Sequence, residues 1–224
     1  MYPKLPFNHH KKGIEIFGQK SVNHDMRKTT LVLFGAVALL ICSCIPSVNP
    51  FYTEKDLTTD PRLPGIWQDN EANDDSSVWK FEFDGTNAYN LTINESRGRT
   101  GEFSAHLFKL DSENFLDLIP LSCDYATNQA GLVGAAMIPG HLLVRVSSLS
   151  PTLHLALCDP DWLKKYLDKN PNAIAHRDYE GGIFLTAETR DLQKFILKHL
   201  AKGELFSDGG DLTRTTNAVS APPK

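Results

Sequence analysis

Val78-Trp79-Lys80-Phe81-Glu82-Phe83-Asp84-Gly85 decides the reading of this chain. Three aromatic residues alternate with Lys80 and Glu82, a period of two that places rings on one face of a strand and charges on the other. Asp84-Gly85 then turns the chain towards Tyr89, Leu91 and Ile93, so the stretch predicts a hairpin whose loop is longer than two residues. Beyond Gly98 to Gly101 the alternation resumes at Phe103, Ala105 and Leu107. Further apolar runs at residues 115–119, 142–146 and 153–157 are bounded by polar or Pro-containing segments. Successive alternating strands predict an antiparallel up-and-down meander.

Two helices are expected towards the C-terminus, giving a mainly β chain of the α+β class. Asp159-Pro160-Asp161 supplies a cap, a first-turn proline and an acid at the positive end of the dipole, ahead of Trp162, Leu163, Tyr166 and Leu167. The second begins near Thr186 or Thr189, carries Leu192, Phe195, Ile196 and Leu200 at helical spacing, and stops at Gly203. The long segment 120–140 contains the apolar stretch Gly131 to Gly140, read either as a lid over a pocket or as a short packed helix. Pro46 and Pro50 predict an extended tether over 44–62. The globular domain is placed at 63–206, and 207–224 is expected to form a disordered tail.

Upstream, Met26-Arg27-Lys28 precedes an apolar core of 11 residues, Leu31 to Ile41. This is the architecture of an export signal, and it is shorter than the ~20 residues of a bilayer-spanning helix. Ile41-Cys42-Ser43-Cys44 at its end resembles the lipobox of bacterial lipoproteins, with cysteine at the second position where Ala or Ser is commoner. The resemblance implies cleavage between Ser43 and Cys44, lipidation of Cys44 and attachment to a membrane of the cell envelope. Residues 26–43 are then the signal and residues 1–25 an extension preceding the start at Met26.

The 224 residues are 41% hydrophobic and 22% charged, ordinary globular material. Without residues 1–43 the chain keeps 17 basic and 25 acidic residues, a net of −8, which disfavours a nucleic-acid phosphate backbone as partner. Asp159, Asp161 and Asp168 read as helix-start and surface acids rather than a metal or acid–base cluster. His106, His141, His154, His176 and His199 show no His-x-x-x-His spacing, and His106 and His154 fall opposite the apolar residues of their strands, where solvent is expected. Ser147 and Ser148 lack a nucleophile elbow, and no phosphate loop or dinucleotide fingerprint occurs. The sequence thus implies no cofactor or metal. Cys123 and Cys158 either pair outside the cytosol or stand as separate buried thiols.

Gly65-Ile66-Trp67, the alternating strands and the late amphipathic helix resemble the lipocalin and calycin family, and Arg177-Asp178-Tyr179 faintly echoes its Thr-Asp-Tyr element. The resemblance implies a small barrel enclosing an apolar ligand. Trp67 itself reads as a core residue plugging one end of the sheet. The functional expectation is a membrane-tethered, non-enzymatic domain that binds a small apolar molecule. The alternative is an envelope scaffold that binds another protein, and a third class is an enzyme with a dispersed site.

Overall fold

A computed structural model of the chain describes residues 45–69, 77–95, 99–123, 139–179 and 182–215, with the side chains of 122 and 123 excepted. The alternating segments form β2 (Gly65–Asp69), β3 (Val78–Phe83), β4 (Tyr89–Asn94), β5 (Thr100–Leu110), β6 (Glu113–Cys123), β7 (His141–Ser148) and β8 (Thr152–Leu157). Each pairs antiparallel with the next, and β11 (Gly210–Thr215) lies between β8 and β2. These eight strands close an antiparallel barrel. Closure removes the unpaired edges that an open sheet of this length would expose.

The two apolar faces of the barrel wall serve different cores. Odd-numbered Ala105 and Leu107 of β5 point inwards with Leu116, Leu118, Val144 and Val146, whereas Phe108, Leu110, Phe115 and Leu143 point outwards. The outer set packs against α1 (Pro160–Lys169) and α2 (Thr189–Leu200) through Leu163, Leu167, Leu192, Phe195 and Ile196. Asp159 caps α1 as its sequence predicts, accepting from the Asp161 and Trp162 amides at 2.9 and 3.0 Å. Gly203, at φ +67°, ends the turn after α2. A hairpin of β9 (His176–Tyr179) and β10 (Gly182–Leu185) places Arg177-Asp178-Tyr179 on an exposed edge.

Two expectations are corrected. Residues 45–62 are not a free tether. Ile45 and Phe51 are buried in the outer core, and β1 (Pro46–Ser47) pairs with β7 and β10. Leu57 bridges to Phe108, and the Thr58 amide donates to Leu107 O at 2.9 Å. A strap of irregular chain therefore crosses β6 and β5 before the barrel begins. Nor is 207–224 wholly a tail, because 210–215 is the closing strand and only its Leu212 supplies apolar bulk to the interior. The ordered unit runs beyond 63–206 at both ends.

Gly65-x-Trp67 has a physical explanation here. Trp67 is buried, its Nε1 donates to Leu63 O at 2.8 Å, and the Arg214 guanidinium lies 4.2 Å from its ring centre. Arg214 reaches past Gly65 to donate to Pro64 O at 2.7 Å and to Arg62 O. A Cβ on residue 65 would collide with that guanidinium, and the backbone there has φ +142°.

Candidate functional site

The barrel has a filled base and a looser mouth. Leu63, Tyr89 and Leu149 are buried at the base, where β4 and β8 start and β7 ends. Towards the other end the same inward rows change character along every strand: Phe81 gives way to Trp79, Leu91 to Ile93, Ala105 to Phe103, Val144 to Leu142 and Leu155 to Leu157. The first of each pair is buried and the second only partly so.

A cavity of about 150 Å³ lies at this mouth. Trp79, Val144, Leu155, Leu157 and Leu212 form its apolar wall. The polar part is Asp69, Ser77 and Asp211, with Asp69 and Ser77 side by side at the ends of β2 and β3, where the Asp69 amide donates to Ser77 O at 3.3 Å. Ser77 Oγ accepts from Trp79 Nε1 at 3.0 Å, which holds the indole against the rim. A volume of ~150 Å³ has room for a benzene-sized group. A second cavity between the strap, β7 and the helices measures about 20 Å³, room for no more than a single water.

A polar cluster lies outside the barrel wall, under the strap. Asp117 is fully buried, accepting from the Phe51 amide at 2.8 Å while its other oxygen meets His141 Nδ1 at 2.8 Å. Tyr52 stacks on His106 at 4.9 Å, and His106 Nδ1 is buried with no hydrogen-bond partner among the described residues. Burial lowers the His106 pKa, against the opposing charges of Asp117 and Asp84, and burial followed by Asp117 raises that of Tyr52. Covered by chain on its outer side, this cluster fastens the strap. It also corrects the expectation that His106 is solvated. His154 is likewise not simply solvated: its two ring nitrogens face Asp211 Oδ1 at 2.7 Å and Asp208 O at 3.1 Å. Both histidines are covered by the segments whose sequence predicts a tether and a tail.

The remaining expected site residues are dispersed. Ser43 and Cys44 lie outside the described residues, as does the side chain of Cys123. Cys158 bridges to Phe206 beside the outer core. The segment 124–138, with most of the apolar stretch, is also outside. His176 Nδ1 meets Ile174 O at 2.9 Å, and His199 is enclosed by Trp162, Tyr166 and Phe195. Among the described residues no group of three His, Cys, Asp or Glu side chains could hold a metal, and no helix is long and apolar enough to cross a membrane. Sequence reasoning did not identify Asp69, Ser77 or Trp79 as pocket residues. The available signal was the inward phase of Trp79 at a strand end. Compared with known proteins, the chain matches no family model, and no curated protein or solved structure matches it significantly.

Proposed function

We propose that the barrel is a non-enzymatic binding module for a small apolar ligand, carried by a chain that is exported and anchored to an envelope membrane through lipidated Cys44. The observation that carries the binding reading is the cavity between Trp79, Val144, Leu155, Leu157 and Leu212. Its walls give desolvation without directional bonds, which favours a ring or alkyl group over a sugar or nucleotide. The cavity is smaller than a drug-sized pocket, so the ligand inserts an apolar end and leaves the rest at the mouth. The anchor reading rests on the Ile41-Cys42-Ser43-Cys44 lipobox resemblance. Ile45 is buried, so an acylated Cys44 would hold this domain against the bilayer without a spacer.

The test is titration of the chain with N-phenyl-1-naphthylamine, an uncharged probe that fluoresces in apolar surroundings. Saturable binding of one probe per chain, lost in a Leu157→Trp variant with an unchanged circular dichroism spectrum, is expected. Absence of saturable binding, or undiminished binding in the filled variant, would contradict the reading.

A further inference from the structure

We infer that the face of β1, β10 and β9 turned away from the helices is the surface on which the anchored domain rests against the bilayer, its apolar side chains and Arg177 meeting the lipid headgroup region. This rests on the anchoring reading above and adds which face of the domain meets lipid.

The small sheet has one covered face and one open face. Ser47 of β1 pairs with Leu185 of β10, the Val48 amide continues that ladder by donating to Leu185 O at 2.9 Å, and β10 pairs with β9. Side chains alternate between faces along a strand, and cross-strand partners share a face. Ile45, Ile183 and Leu185 belong to the helix-side core, so Pro46, Val48, Phe184, Arg177 and Tyr179 belong to the opposite face. There Val48 is 43% and Tyr179 50% exposed, and Pro46 and Phe184 are partly buried. Two glycines keep the strip continuous. A Cβ on Gly140 would lie 2.7 Å from Pro46 Cβ and 3.4 Å from the Phe184 ring, and one on Gly182 would lie 4.0 Å from the Tyr179 hydroxyl. Arg177 stands opposite Phe184, whereas Asp178 pairs with Ile183 and has the other phase. Among the described residues of these strands, the open face thus carries a cation and no carboxylate, in a chain that from residue 44 onward has a net −8.

What meets this face follows from the chain that enters it. Ile45 is 6% exposed and fixed in the helix-side core. Consecutive Cα atoms are about 3.8 Å apart, so Cys44 stands at the start of β1 with no spacer. Acyl chains on Cys44, or the apolar run Leu31 to Ile41 left uncleaved just upstream, bring lipid to the same place. The composition of the face suits that neighbour. A tyrosine sits at the headgroup level with its ring towards the acyl chains, and an arginine lays its stem on apolar surface while its guanidinium reaches phosphate. A second copy paired along the β9 edge would gain a strand of four residues, too little for the ~1,200 Å² or more of a stable interface.

The test places the photo-crosslinker p-benzoylphenylalanine at Val48 or Tyr179 of the full chain, expressed in bacteria with radiophosphate-labelled phospholipid. Lys164, exposed on α1, is the control position. Ultraviolet irradiation of isolated membranes should attach phospholipid to the chain from Val48 and Tyr179 and give only background from Lys164. Background labelling from Val48 and Tyr179, with the chain still in the membrane fraction, would overturn the inference and leave the anchoring reading standing. So would equal labelling from all three positions, or crosslinks from Val48 and Tyr179 to protein in place of lipid. A chain recovered wholly in the soluble fraction would overturn both.

Discussion

Phe81→Ala should destabilise this protein several times more than Phe83→Ala, although the two rings are neighbours in one alternating series. Phe81 is 1% exposed and packs in the barrel core, whereas Phe83 is 48% exposed at the end of β3 and meets Tyr89 edge-on at 5.7 Å. Deleting a fully buried ring costs ~3 to 5 kcal/mol, because a cavity is added to the lost transfer energy. Phe83 can lose only about half of the ~1.5 to 3 kcal/mol that complete burial provides, and its site is open to water, so ~1 kcal/mol is expected. Lys80→Ala should cost ~0.5 kcal/mol or less, since the 2.8 Å Lys80–Glu82 pair is half exposed. Urea unfolding followed by tryptophan fluorescence reads the difference. With a slope of ~2 kcal/mol per molar, a loss of 4 kcal/mol lowers the midpoint by ~2 M. Equal midpoints for the two phenylalanine variants would refute the placement of Phe81 inside and Phe83 at the rim.

Asp117→Ala should cost ~3 kcal/mol, because it leaves the Phe51 amide and His141 without their acceptor, and should speed protease cleavage within 45–57. An unchanged cleavage rate would show that Asp117 does not fasten the strap. Burial lowers the pKa values of His106 and His199 from 6.5. The unfolded chain therefore takes up protons that the folded one resists, so this contribution is full above about pH 6.5 and is lost as pH falls below it. That window lies above the one for Asp56, Asp60 and Asp84, whose pKa values are lowered from 3.8. Unfolding midpoints at pH 7.5 and 5.5 should differ, and less so in His199→Phe; identical slopes would contradict the burial argument. Cys44→Ala should abolish lipid labelling, whereas deleting 1–25 should leave export unchanged. Persistent labelling of that variant at residue 44, or failed export after the deletion, would overturn the respective expectation.

The barrel wall was legible because its strands are long enough for the period of two to show. Trp79-Lys80-Phe81-Glu82 marks one face from the other without help from distant residues. The strap and the closing strand were not. Pro46–Ser47 is too short to display a period, and Gly210–Thr215 offers one interior aliphatic residue amid polar ones. Both gain their place from partners more than 50 residues away, such as Asp211 opposite His154 and Pro46 opposite Leu142. The same gap hid the environments of His106 and His154, since a strand's outer face reads as solvated when the segment covering it is missing. Asp69 was unremarkable in sequence because its meaning depends on the phase of β11.

Methyl NMR of the chain during titration with toluene tests the central claim most directly, since it reports where an apolar ring enters. Saturable shifts are predicted at Val144, Leu155, Leu157 and Leu212, with Leu163, Leu167 and Leu192 of the helix-side core unmoved. Shifts confined to the helix-side leucines, or none that saturate, would contradict a ligand cavity in the barrel mouth.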